Sequence, residues 1–314
     1  MPSRILLRGA AQEWHREVIM ISFLTSLVNG LSLGGIYAII ALGYTMVYGI
    51  AKMLNFAHGD FIMVGCYIIF TAVSTMGLSP AVGIIASIIL CTLLGVATEA
   101  VAYRPLRHAA SPLAVLITAI GVSYLLENLA LLIFGADAKS FTSVVKWSGI
   151  TLFGGQLHIQ GVTIITIIVS LLVLVLLQSY IHGTKNGQAM LAVAQDQGAA
   201  TLMGIDVNKT ISLTFAIGSG LAAVAGALLC SAYPTLTPYT GAMPGIKAFV
   251  AAVLGGIGSV PGAMIGGLVL GIIEILAKTY ISSQLSDAIV FGILVVVLLF
   301  KPTGLLGKIT QEKV

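Results

Sequence analysis

Apolar residues in this chain come in long blocks, and polar residues gather in the stretches between them. Blocks 61–76, 81–98, 112–134, 159–181 and 211–232 each read as one helix across about 30 Å of hydrocarbon. Backbone groups in lipid must be satisfied inside the helix, so such blocks cannot be loops. Two longer blocks, 21–50 and 246–277, carry glycines along their length, and each is open to one long span, two short ones or a broken helix. A last span lies within 280–300, carries Asp287 and stops at Lys301-Pro302. The expectation is an all-α, polytopic membrane protein with about 8–10 transmembrane helices and glycine-broken segments. Its membrane domain covers 21–301, with a polar loop at 182–209, between an N-terminal segment 1–20 and a tail 302–314.

Composition removes the alternatives. Of 314 residues 58% are hydrophobic and only 8% are charged, against about 25% charged in an average soluble domain. The net charge of +4 is too dilute for a nucleic-acid surface. Cys66, Cys91 and Cys230 sit singly in apolar blocks, which suits neither a disulfide framework nor a metal cluster.

Basic loops orient the chain. Arg104 and Arg107 share one loop, Lys185 and Lys209 flank another, and Lys301, Lys308 and Lys313 line the tail; all three are expected in the cytoplasm. Arg4, Arg8 and Arg16 against Glu13 and Glu17 favour the cytoplasm for residues 1–20 as well. Ten crossings, with both long blocks crossing twice, satisfy that parity. The apolar stretch after Arg16 is too long for the core of a cleaved signal peptide.

Three polar constellations stand out. The first is Asn55-Phe56-Ala57-His58-Gly59-Asp60, between two apolar blocks. A carboxylate beside an imidazole at membrane depth can shuttle protons or border a pathway; alternatively Asp60 caps the following helix while Asn55 and His58 satisfy the preceding one. The second is a glycine ladder. Gly255, Gly256 and Gly258 with Ser259 and Pro261 make continuous helix improbable and suggest unwound backbone along a path. Gly262, Gly266, Gly267 and Gly271 have the small-residue spacing of helix packing. The third is the loop 182–209, where an Ala- and Gln-rich stretch precedes Thr201-Leu202-Met203-Gly204 and Gly204 fits a helix stop. It reads as an ordinary surface loop or as a pair of short helices offered to a soluble partner. Of the remaining charges, Glu99 is expected to pair near Arg104, Glu127 and Glu274 lie deep without a nameable partner, and Lys247 is expected to snorkel.

No GxxxxGK[ST], HExxH or CxxC occurs, so no P-loop or metal-site motif is visible and an enzyme is not expected. If ATP drives transport, another chain must hydrolyse it.

Five stretches resemble the integral-membrane permease subunits of branched-chain amino acid ABC importers: NGLSLGGIYAIIALGYTMVYGIAKMLNFAHGDF (29–61), YRPLR (103–107), AVAQDQGAATLMGIDVNKTISLTFAIGSGLAAVAG (192–226), AFVAAVLGGIGSVPGAMIGGLVLGIIE (248–274) and KPTGLLG (301–307). They occur in family order. The resemblance implies a subunit in the bacterial inner membrane that pairs with a second, related permease. It also implies two cytoplasmic ATPases, which hold the ATP and magnesium, and a periplasmic substrate-binding protein, with no cofactor in this chain and no nucleic acid. It makes 182–209 the ATPase-coupling loop, with matches at Gln195, Asp196, Ala199, Ala200, Met203, Gly204 and Asp206, while the family's usual charges are missing at Leu191 and Gly198. Permeases for urea and short amides are the neighbouring alternative. From another class, an ion-coupled secondary amino acid transporter would use Glu127, Glu274 or Asp60.

Overall fold

The computed structural model describes the backbone of residues 2–107, 112–152, 155 and 157–307, with side chains in those ranges from residue 19 onward except at 112. Expectations resting on the side chains of Arg4, Arg8, Glu13, Arg16, Glu17, Lys308 and Lys313 lie outside the described residues. The helices are α1 (Pro2–Ala51), α2 (His58–Phe70), α3 (Pro80–Thr98), α4 (Pro112–Phe134), α5 (Gly161–Gly183), α6 (Lys185–Gln195), α7 (Gln197–Leu202), α8 (Val207–Ala232), α9 (Ala242–Gly255), α10 (Val260–Tyr280) and α11 (Ser286–Phe300). Wider π-helical turns prolong α2 over Thr71–Thr75 and α3 over Glu99–Tyr103. Strands β1 (Lys139–Ser140) and β4 (Thr235–Leu236) pair antiparallel, as do β2 (Ile150–Leu152) and β3 (Leu157–Ile159). Among the described residues, 7 helices are long and apolar enough to cross a membrane, and α9 and α11 are shorter apolar helices. The protein is an all-α, polytopic membrane protein.

The two long glycine-bearing blocks behave differently. Block 246–277 does break: α9 ends at Gly255, Gly256 and Gly258 take φ of 108° and 91°, and α10 restarts behind Ser259. Block 21–50 does not. It lies within the unbroken α1, whose glycines provide close contacts instead of kinks. Gly30 and Gly34 meet the α10 backbone at Ile272 and Leu268, Gly35 faces Ser170 of α5, and Gly49 faces Gly258. A side chain at Gly30 or Gly34 would hold α1 and α10 apart, so glycine serves approach there.

That difference changes the parity. The end of α1, the Arg104–Arg107 region, α6 and α7, the turn between α9 and α10, and the chain's last described residues share one face. Gly49 against Gly258 and Leu306 against Gly255 tie them together. The other face carries the turn after α2, the β1–β4 pair and the α10–α11 connection, and the Ser26 hydroxyl meets Thr279 there at 3.3 Å. With α1 passing once, its residue-19 end and the C-terminal tail lie on opposite faces, contrary to the ten-crossing expectation. The tail face holds Lys52, Arg104, Arg107, Lys185, Lys209 and Lys301, whereas the opposite loops hold Lys139 and Lys146.

The centre of the bundle is α1, α8 and α10, with α2 and α9 packed on them. α8 has the largest buried share of the spans, 72%, while α4 has 17% and turns most of its surface outward. Gly65 of α2 faces Ala223 of α8, Gly226 faces the Ile62 carbonyl, and Cys66 and Cys230 bring their free thiols to 2.9 Å.

Candidate functional site

The polar knot 55–60 lies inside the helix layer. After α1 ends at Ala51 the chain turns back, helped by Lys52 at φ 55°, and α2 begins with His58 beside Gly43, about two helical turns short of the end of α1. A side chain at Gly43 would occupy the imidazole's place. Asn55, His58 and Asp60 are each no more than 2% exposed. The capping expectation for these residues is not met: the N-cap of α2 is Ala57, without a side-chain cap, and Asp60 lies in the first turn. Asn55 Oδ1 instead accepts the Tyr103 hydroxyl at 2.8 Å, and His58 stands edge-on to Tyr44 at 4.6 Å. Asp60 contacts Ser123 of α4 and lies within electrostatic reach of Glu127. Asn55 Nδ2, His58 Nε2 and Asp60 Oδ2 have no protein partner, so the knot presents unsatisfied polar atoms where an apolar interior makes them costly.

The α9–α10 turn is the second element. Ser259 Oγ accepts from the Gly262 N–H at 3.2 Å and caps α10, with Pro261 in the first turn. Gly262 lies against Gly255, Gly266 against the Ala251 carbonyl, Gly267 against Ala38 and Gly271 against Gly34, so α10 touches α9 with one side and α1 with another. The tail closes on this turn. Leu305 and Leu306 donate their N–H groups to the carbonyls of Leu254 and Gly255 at 2.8 and 2.9 Å, and Gly304 at φ 78° makes the bend.

The third element stands off the tail face. α6, α7 and α8 begin at Thr184, Asp196 and Asp206, whose side chains accept from the N–H groups of Gly187, Ala199 and Lys209 at 3.0, 2.9 and 3.1 Å. The Lys209 N–H and ammonium beside Asp206 hold its carboxyl below the usual carboxylate range. α7 ends in a Schellman turn, Ile205 N–H to Ala200 and Gly204 N–H to Thr201, with Gly204 at φ 83°. Gln195, Asp196, Ala199, Met203, Gly204 and Asp206 are exposed and Ala200 is buried against the bundle. Leu202 and Met203 are 90% and 82% exposed, on a face that also carries charge and so lies beyond the hydrocarbon.

Sequence reasoning missed a fourth element at the opposite face. Lys247 does not snorkel; it is buried, and Nζ lies 2.8 Å from Glu274 Oε1 and 2.7 Å from Asp287 Oδ1. Lys278 donates to the same Oε1 at 2.6 Å and the Tyr37 hydroxyl to Oε2 at 2.9 Å. The i,i+4 spacing of Glu274 and Lys278 was the visible signal. Near the tail face, Glu99 is fully buried, held by Arg107 and by Arg104 at 2.8 Å, and it accepts the Ser212 hydroxyl at 2.6 Å.

A many-spanned bundle with unsatisfied polar atoms at depth and a helical pair projecting from one face is the arrangement of a membrane permease. Comparison with known proteins makes this specific. Residues 26–298 match the family described as branched-chain amino acid transport system / permease component, and the chain belongs to that family. It is 43% identical over 302 residues to the high-affinity branched-chain amino acid transport system permease protein LivH of Escherichia coli, covering 93% of this chain and 98% of that one. LivH of Salmonella typhimurium matches to the same extent, and BraD of Pseudomonas aeruginosa is 44% identical over 305 residues, with 93% and 98% covered. Among solved structures, PsaBC from Streptococcus pneumoniae in complex with Fab aligns over 96% of this chain and 97% of that one at 16% identity and a TM-score of 0.43.

Proposed function

We propose that this chain is a permease subunit of an ATP-driven ABC importer for branched-chain amino acids in the bacterial inner membrane. The observation that carries this reading is its likeness, over 93% of its length, to permeases named for high-affinity branched-chain amino acid transport. A second, related permease, two ATPases that bind ATP and magnesium, and a periplasmic binding protein complete the assembly. The tail face is cytoplasmic by its excess of lysine and arginine. α6 and α7, with Leu202 and Met203 at their end, dock on an ATPase. Substrate enters from the opposite face and passes near the knot at Asn55, His58 and Asp60 and the turn at 255–261. ATP-driven movement of the α6–α7 pair shifts the bundle between outward- and inward-open forms, and each form is populated according to the ligand it binds better.

Reconstitution of the full assembly into proteoliposomes tests this. Labelled leucine should accumulate only with ATP, the ATPases and the binding protein. Uptake by this chain alone down an imposed ion gradient would overturn the proposal in favour of a secondary transporter, and uptake of urea or acetamide instead of leucine would move it to the amide branch.

A further inference from the structure

The charged cluster at the outer end of the bundle borders a cavity of about 210 Å³. Its walls include Tyr37, Tyr233, Met243, Lys247, Glu274 and Lys278. The hydrogen bonds within the cluster leave an uneven remainder. An ammonium has three N–H donors. Lys247 directs donors to Glu274 and Asp287, and Lys278 directs one to Glu274. Glu274 Oε1 therefore accepts from two lysines and Oε2 from Tyr37, which leaves the carboxylate nearly saturated while the lysines keep unused donors beside the cavity. Glu274 is 1% exposed and the Lys247 side chain 8%, so this pair is held at a desolvation cost that apolar residues would not incur.

Across Leu33 and Tyr233, which line both, lies a second cavity of about 230 Å³. Leu33, Ile36, Ala232 and Ile275 make its apolar wall, Asn29, Ser32, Gln160 and Thr163 its polar one, and no charged residue lines it. A charged chamber with free lysine donors and remaining acceptor capacity on Glu274 Oε2, beside an uncharged one with an apolar wall, matches a small zwitterion that carries an aliphatic body. We infer that the two cavities form an entry site for the free amino acid, with its α-carboxylate on Lys278 and Lys247 and its aliphatic side chain past Leu33. Released substrate would meet this site before the buried knot. This assignment rests on the importer reading, and it adds what that reading lacks: the permease itself recognises the carboxylate, so amides without one are refused here.

The test uses the assembled transporter without binding protein, so that selection by that protein does not enter. Met243, half-exposed in the charged cavity, is replaced by cysteine and its labelling by a water-soluble maleimide is timed. L-leucine at ten times its dissociation constant should slow labelling about tenfold, as 1 + [L]/Kd requires. L-leucinamide, lacking the carboxylate, should leave the rate unchanged. Lys278→Gln should abolish protection by leucine and Lys278→Arg should keep it, which separates a lost charge from a lost fold. Equal protection by leucinamide, or full protection in Lys278→Gln, would overturn the site. Uptake of leucine by the complete assembly is scored separately: its absence counts against the proposed function, whereas uptake without leucine-specific protection counts against this site alone.

Discussion

The Tyr103 hydroxyl donates to Asn55 Oδ1 at 2.8 Å, tying the π-helical end of α3 to the segment that carries the chain back into the bundle. Asn55 Nδ2 has no protein partner, so this is the bond that orients the amide. Tyr103→Phe should destabilise the protein by about 1–3 kcal/mol, the usual cost of leaving a buried acceptor unpaired. Thermal unfolding of the purified variant measures it, and an unchanged midpoint would show that the bond does not hold the knot.

The α1–α10 contact is backbone on backbone. Gly271→Val would drive a branched side chain into Gly34 and should cost about 1–3 kcal/mol or more by overpacking. Gly292→Ala in α11 meets nothing within 4 Å and should be neutral or slightly stabilising. Comparing the two by thermal shift separates lost approach from a general intolerance of glycine replacement.

Asp196 offers both a cap and a charge. Asp196→Ala loses the bond to the Ala199 N–H and should weaken α7 by about 1 kcal/mol, while Asp196→Asn keeps a capping oxygen. If the residue also contacts an ATPase through its charge, Asp196→Asn and Asp196→Lys should both lose leucine uptake with membrane insertion intact. Wild-type uptake by Asp196→Asn would reduce its role to the cap.

Glu274 is held by two lysines and a tyrosine, so removing either lysine alone leaves it partly compensated. Lys247→Met should still cost about 1–3 kcal/mol, because buried Glu274 loses one of its hydrogen bonds, while half-exposed Asp287 is solvated and adds little. Adding Glu274→Gln and Asp287→Asn should recover much of that loss. A triple variant no more stable than Lys247→Met, by denaturation in detergent, would contradict pairing as the cause.

Much of the architecture is legible in the apolar blocks, because a helix in lipid has no alternative partner for its backbone. The block containing Pro112 to Phe134 became a helix with those same bounds. The reading failed where one residue type serves two purposes. Gly256 and Gly258 take positive φ and end a helix, whereas Gly30 and Gly34, equally conspicuous in sequence, sit mid-helix because α10 lies against them. Only the neighbour distinguishes the cases. Lys247 was misread for the same reason: its partners Glu274 and Asp287 lie on other helices, and no local spacing announces them. The helix stop at Gly204 was readable, since a Schellman turn is written within six residues.

The bonds from Leu305 and Leu306 to the last carbonyls of α9 join the end of the chain to its middle. α9, α10 and α11 thereby form a closed circuit, pinned at the tail face by backbone and at the opposite face by Lys247. Parting these three helices from one another would break those bonds. The close glycine seam of α1 and α10 then ties that circuit to the longest helix of the bundle, so the chain's last described residues and its first span belong to one packed unit.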